Sequence, residues 1–507
     1  MSNHLFDALA RHASDRSRAL IELADGTRVS YGETFDLVAR LASHLSRAGV
    51  QPGDRVAVQV EKSWQNLALY LACVRAGAVF LPLNTAYQLA ELDYFFGDAQ
   101  PSFVVARAET VEDVRKLCAP RGKSIVESLG TEGDGTLLAA AADAPLLPIV
   151  DRGPDDLAAI LYTSGTTGRS KGAMLTHENL RSNAEVLTDC WRFSEKDVLL
   201  HALPIFHTHG LFVACDVILL AGASMIFLPR FEADQFMSLM PKATSMMAVP
   251  TFYVRLLDHP GLTREATKHM RLFTSGSAPL LAETHRAFAE RTGHAILERY
   301  GMTETNMNTS NPYDGDRIPG TVGFPLPGVD VRVADPETGR VLPQGEVGVL
   351  EVRGPNVFPG YWRMPEKTKA DFRADGFFIT GDVSKVDERG YVHIVGRAKD
   401  LVITGGYNVY PKEIETELDA IPGVQESAVI GVPHPDFGEG VTAVVVRERG
   451  ASLTEADIIS ALGDRLAKFK QPKRVFFVDE LPRNTMGKVQ KNVLRETYAQ
   501  IYDRGAA

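Results

Sequence analysis

TSGTTGRSKG, residues Thr163 to Gly172, follows directly on LAAILY, residues Leu157 to Tyr162. The second stretch is an unbroken apolar run bounded by turn residues, the pattern of a buried strand. A strand therefore runs into a loop built from hydroxyls, glycines and two cations. Gly165, Gly168 and Gly172 let the backbone turn tightly and expose its N–H groups, which can then surround an anion. Thr163, Ser164, Thr166 and Thr167 add hydroxyl donors, and Arg169 and Lys171 add positive charge. This is the chemistry of a phosphate cradle. It is not a Walker A loop, because Ser170 precedes Lys171 and Gly172 follows it. A cluster of glycine and threonine is, on its own, most often a solvated surface loop, so the surrounding chain has to decide.

Working outward, helix and strand patterns alternate. Tyr31–Val50 has helical periodicity, Gly53–Glu61 reads as a strand, and Asn66–Leu83 reads as a helix, a glycine and a strand. The alternation continues to about residue 350 and predicts an α/β protein: a large N-terminal domain of parallel and mixed sheets flanked by helices. After it, GEVGVLEVRG, DGFFITGDVSKVDERG and YVHIVGRAKDLVITGG carry short strands between glycine and aspartate turns, which read as hairpins. From Tyr410 helix and strand return in PKEIETELDAI, SAVIGVP and VTAVVVRE. A boundary near Lys399 gives an N-terminal domain over 1–398 and a small mobile α+β domain over 399–507.

With 507 residues, 45% hydrophobic and 23% charged, the chain has ample material for more than one core. The net charge of −10 argues against a nucleic-acid surface, and it requires that cations serving an anionic substrate be concentrated locally. Cys73, Cys118, Cys190 and Cys215 form no CxxC pair, so neither structural zinc nor a disulfide framework is expected. Reduced thiols fit a cytoplasmic protein. The first residues carry early charges and do not read as a signal peptide, and no apolar run reaches the roughly 18 residues of a membrane span. The closing residues are not a peroxisomal tripeptide.

Four further stretches stand in order after the loop: RYGMTET (Arg299–Thr305), FFITGDV (Phe377–Val383), GRAKDLVITGGYNVYPKEIE (Gly396–Glu415) and PRNTMGKVQK (Pro482–Lys491). Together with TSGTTGRSKG they resemble the ordered motifs of the AMP-forming acyl-CoA synthetases, the adenylate-forming superfamily. The likeness covers nearly the whole chain. It implies ATP, Mg²⁺ and coenzyme A as partners of an acid, activated first as an acyl-adenylate. It also implies roles. Thr163, Ser164, Gly165, Thr166, Thr167, Gly168 and Lys171 would hold the β- and γ-phosphates. Glu304, with Thr163, would hold Mg²⁺. Tyr300 would pack on adenine within the strip Arg299, Tyr300, Gly301, Met302, and Thr303 would reach the α-phosphate. Asp382 would take the ribose hydroxyls and Arg397 the ribose or phosphate side. Lys488 would be the adenylation lysine, and Lys399 the pivot that exchanges Lys488 for the Gly405, Gly406, Asn408 turn. Acetylation of Lys488 by a lysine acetyltransferase would remove its charge. Taken singly, Glu304, Asp382 and Lys488 would be solvated surface charges and Tyr300 a core residue; the motif context reverses that.

ALPIFHTHGLF, PTFYVRLL and RYGMTETNMNTSNPYDGDR resemble the members of this family that activate malonate. A dicarboxylate leaves one carboxylate unreacted in a largely dry pocket, where it needs a cation. Arginine suits it through its bidentate fork. Arg299 and Arg255 are the candidates, with His207 and Ser277 as further donors, and His201 and His209 read as structural. Methylmalonate or another short acid is the alternative within the family. A stand-alone adenylation domain loading a carrier protein is the alternative outside it.

Overall fold

The computed structural model describes residues 2–122, 124–163, 170–404, 407–463, 465–466, 468–484 and 487–502, without the side chains at 399, 407 and 408. The apolar run of the opening loop is the strand Leu157–Thr163, buried from Ala158 to Leu161. It lies parallel to Val79–Pro82 on one side and antiparallel to Lys171–Thr176 on the other. It is covered on both faces, which is why its sequence is continuously apolar rather than alternating.

Two compact units form: Met1–Val331 with Val352–Phe378, and Arg332–Glu351 with Ile379–Ala507. In the larger unit one sheet has seven strands. Its order is Gly360–Tyr361, Lys171–Thr176, Leu157–Thr163, Val79–Pro82, Arg55–Gln59, Phe103–Ala106 and Ile125–Ser128. A second sheet has nine strands, with a parallel centre made by Leu297–Met302, Leu272–Ser275, Ser245–Ala248, Val198–His201, Ser224–Phe227 and Ala19–Glu22. Helices cover these sheets, and their starts are written in the sequence. Ser30 and Glu33 close a reciprocal cap on Tyr31–Arg47, and Thr176 and Asn179 do the same for His177–Cys190.

In the smaller unit, Phe378–Val386 and Val392–Arg397 form the antiparallel hairpin expected from the glycine and aspartate turns. A second sheet joins Val424–His434, Gly438–Arg447 and Arg474–Val478 over the helix Pro411–Asp419, with Val402, Ile414, Leu418, Val429, Val441 and Ile458 at its core. The four-stranded sheet that holds the Phe378–Val386 hairpin groups with this unit, so the unit takes in residues on both sides of Lys399.

The strand Leu272–Ser275 positions the loop that follows it, and Phe273 anchors that strand in the core. Phe273 is fully buried and meets the ring of Phe288 edge-on at 5.0 Å. Phe273→Ala is expected to lower the unfolding free energy by about 3–5 kcal/mol, read as an earlier urea transition. An unchanged transition would show that this strand is held by other contacts.

Candidate active site

The strand Leu157–Thr163 and the strand Lys171–Thr176 end with Thr163 and Lys171 as register partners. Ser164, Gly165, Thr166, Thr167 and Gly168 lie outside the described residues. At this end the Thr163 hydroxyl donates to Glu304 Oε1 at 3.3 Å, and the Tyr361 hydroxyl donates to the same oxygen at 3.1 Å. Lys171 Nζ stands 4.2 Å from the centre of the Tyr361 ring. Glu304 is only 5% exposed, and both of these donors reach Oε1. Among the described residues no group of three or more His, Cys, Asp or Glu side chains is placed to hold a metal. One carboxylate beside one hydroxyl fits Mg²⁺, which keeps most of its water and is held by few carboxylates.

Glu304 comes from the turn after the strand Leu297–Met302, which pairs with Asn306–Ser310 through a bulge between Tyr300 and Gly301. A Cβ on Gly301 would lie 1.8 Å from the Asn306 carbonyl oxygen, so only glycine lets this turn close. Tyr300, Met302 and Thr303 remain partly exposed, and the Tyr300 hydroxyl reaches Met302 Sδ at 3.9 Å.

Arg299 is different. It is 4% exposed, and its Nε and Nη2 are buried without a hydrogen-bond partner. No carboxylate pairs with it among the described residues. Burial pushes its proton affinity down, with only the Tyr253 hydroxyl acting the other way. A guanidinium nevertheless keeps its charge at neutral pH. The guanidinium lies against Gly276: a Cβ there would stand 2.2 Å from Nη1 and 2.3 Å from Cζ. The next residue, Ser277, has φ of 70°, a conformation non-glycine residues seldom adopt outside functional turns. Its hydroxyl lies 3.2 Å from His209 Nδ1. His209 is buried with Nε2 unpartnered, and burial together with the charge of Arg299 pushes its pKa well below the ordinary value, so the ring is neutral. His207 is half-buried, and its Nδ1 accepts from the His209 backbone N–H at 3.4 Å.

The structure therefore brings Arg299, Ser277 and His207 to one neighbourhood and adds His209, which the sequence reading left as structural. The missed signal was the second histidine of FHTHG. Arg255 is not gathered there. It sits exposed on the helix Pro250–Asp258, whose inward side carries Tyr253 and Leu256. Two positions along a helix turn a side chain away from its neighbour's face. Tyr361 was also missed, since its role as a donor to Glu304 depends on a strand pairing far from the motif.

In the smaller unit Asp382 and Arg397 are register partners across the hairpin, with Arg397 Nε 2.6 Å from Asp382 Oδ1. Lys488 is exposed at a turn where its N–H donates to Asn484 Oδ1 at 3.0 Å and its carbonyl accepts from the Asn484 N–H at 2.9 Å. Gly405, Gly406 and the side chains of Lys399 and Asn408 lie outside the described residues.

A family model described as AMP-binding enzyme matches residues 6–362, and one described as AMP-binding enzyme C-terminal domain matches 413–488. The chain belongs to the AMP-binding enzyme family, and it is an AMP-forming acid–thiol ligase. It is 64% identical to ATP-bound MatB from Rhodopseudomonas palustris, covering 99% of this chain and 100% of that one with a TM-score of 0.97. It is 38% identical to a mitochondrial malonate–CoA ligase of Mus musculus, over 85% of this chain and 79% of that protein. A feruloyl-CoA synthase of Amycolatopsis is 39% identical over 93% of this chain and 94% of that protein.

The contact between Gly276 and Arg299 gives a test. Gly276→Ala must displace the guanidinium, and is expected to raise KM for the acid at least about tenfold, the loss of roughly 1.4 kcal/mol of a charged hydrogen bond. KM for ATP should stay near its starting value. Equal changes in both constants would mean that the loop, not Arg299, had been disturbed.

Proposed function

We propose that this chain joins malonate to coenzyme A at the expense of ATP, through a malonyl-adenylate, with AMP and pyrophosphate as the other products. The observation that carries the reading is Arg299: a buried guanidinium with no counter-charge, beside Ser277 and the histidine turn. An acid with a single carboxylate gives that charge nothing to pair with once the carboxylate reacts. A dicarboxylate supplies the missing anion. The likeness to MatB and to malonate–CoA ligases supports the same substrate. Methylmalonate is expected as a second substrate, because one methyl group changes discrimination only modestly.

In the first step an oxygen of the ionised malonate carboxylate attacks the α-phosphorus of ATP, and the bond to pyrophosphate breaks. No general base is needed. The chain has to bring anions together and hold them in line, which is positioning and electrostatics. The Thr163–Lys171 loop holds the β- and γ-phosphates. Tyr300 stacks on adenine, Thr303 meets the α-phosphate, and Asp382 binds the ribose hydroxyls with Arg397 beside it. Lys488 bridges the attacking carboxylate and the α-phosphate, where charge builds in the transition state. Glu304 and Thr163 would hold Mg²⁺, which would neutralise phosphate charge. Arg299, with Ser277 and His207, fixes the unreacting carboxylate, and the neutral His209 offers a hydrogen bond without a second charge.

In the second step the coenzyme A thiolate attacks the acyl carbon and the bond to AMP breaks. A rotation at Lys399 withdraws Lys488 and brings the Gly405–Asn408 turn forward, so that the domain beyond residue 398 serves both steps. Acetylation of Lys488 would stop the first step by removing its charge. A reducing cytoplasm suits the four free thiols, and no helix among the described residues is long and apolar enough to cross a membrane.

ATP–pyrophosphate exchange over malonate, methylmalonate, acetate, butyrate and succinate tests the substrate. Exchange with malonate, alone or with methylmalonate, is expected; exchange driven by acetate or butyrate would overturn the assignment. Lys488→Ala is expected to cost adenylation at least about a thousandfold, roughly 4 kcal/mol of transition-state charge stabilisation. Transfer of supplied malonyl-adenylate to coenzyme A should survive. Equal loss of both steps would contradict the use of two conformations.

A further inference from the structure

A second cation, half-buried, lies in the larger unit, outside the site described above. The Lys62 ammonium touches no carboxylate among the described residues. It donates to the His201 carbonyl at 3.0 Å and to His201 Nδ1 at 3.2 Å, and it stands 4.2 Å from the centre of the Phe227 ring. The adjacent acid, Glu61, is paired with Arg107 at 3.5 Å. Lys62 lines a pocket of about 130 Å³ together with Glu61, Asn66, Thr85, Pro204, Phe206 and Pro229. The His201 carbonyl takes one ammonium proton, and Lys62 shares the single Nδ1 lone pair with the Leu203 N–H at 3.2 Å, which leaves at least one donor.

Asn66 gives the independent observation. It is 6% exposed, its Nδ2 donates to the Glu61 carbonyl at 3.4 Å, and its Oδ1 is buried with no partner. One pocket thus combines a cation that touches no carboxylate among the described residues with an acceptor that has no donor. Each is costly to leave unmet in a dry setting. Burial pushes the Lys62 ammonium down to about 7, as expected for a cation that lacks a counter-charge.

We infer that this pocket is a binding site for a small singly charged oxyanion that keeps its own O–H, such as bicarbonate or a short α-hydroxy acid. An anionic oxygen would accept from Lys62, and the O–H would donate to Asn66 Oδ1. Thr85 adds a hydroxyl to the lining. His201 ties the pocket to the acyl-site turn, since its Nε2 lies 2.8 Å from the Gly210 carbonyl oxygen.

Calorimetric titration with sodium bicarbonate, glycolate, acetate and chloride at matched ionic strength tests this. Acetate shares the charge and approximate size but lacks the O–H at neutral pH. Bicarbonate or glycolate is expected to bind at least about ten times more tightly than acetate, the value of one hydrogen bond to a buried acceptor. Whichever of the two binds more tightly identifies the source. Lys62→Met should abolish the signal, and Arg299→Leu should leave it in place. Equal binding of acetate or chloride, or binding that survives Lys62→Met, would overturn the site. Should Lys62→Met fail to fold, Asn66→Ala reads the same pocket: it should erase the preference for glycolate over acetate, and a preserved preference would overturn the proposal.

Discussion

A guanidinium held away from water, with no anion beside it among the described residues, is the constraint on which the proposed acid pocket rests. Taking an ion out of water costs on the order of several kcal/mol even after relaxation, and Arg299 meets that cost with no carboxylate beside it among the described residues and with Nε and Nη2 unpartnered. The surroundings make the position hard to leave. Gly276 has no side chain, so the guanidinium can lie against the backbone; Ser277 takes a left-handed conformation; His209 is kept neutral, so it does not compete for the same anion. The protein without substrate carries an unmet electrostatic demand, and the ligand that meets it is defined by charge before it is defined by shape.

The architecture explains why such groups meet. In open α/β sheets ligands collect outside the carboxyl ends of the parallel strands. Thr163 ends the strand Leu157–Thr163, Gly276 and Ser277 follow Leu272–Ser275, His201 ends Val198–His201, and the Glu304 turn follows Leu297–Met302. Strands need apolar side chains to pair and be covered; the loops after them do not, and so they carry the chemistry. The same logic puts Asp382 and Arg397 side by side in the smaller unit, through hairpin register rather than through any motif that contains both.

Much of this was legible in the sequence, and unevenly so. The α/β order, the buried run before Thr163, the hairpin after Phe378 and the capped starts of the helices follow from periodicity and turn chemistry, which act over a few residues. Glu304, Arg299 and Ser277 could be singled out because each sits inside or beside a motif, and their roles belong to the proposed reading. Tyr361 was not, since its hydroxyl reaches Glu304 from a strand that joins the sheet late in the chain. His209 reads as structural from the sequence, and only the packing shows its proximity to Arg299. Arg255 misled for the opposite reason: its neighbour Tyr253 turns inward, and the helix carries Arg255 out to the surface. Lys62 and Asn66 belong to no motif at all, and only burial reveals them.

Substrate choice between malonate and propionate isolates the charge at the far end of the acid, since the two differ chiefly in that carboxylate. The quantity to measure is the ratio of kcat/KM for malonate to kcat/KM for propionate, in the native chain and in Arg299→Leu. If the guanidinium recognises the unreacting carboxylate, the ratio should fall in the variant by about a hundredfold or more, the equivalent of roughly 3 kcal/mol for breaking a buried ion pair. Activity toward propionate should hold or rise. A ratio that does not change, with both substrates losing rate together, would contradict it and assign Arg299 to the nucleotide or to the fold.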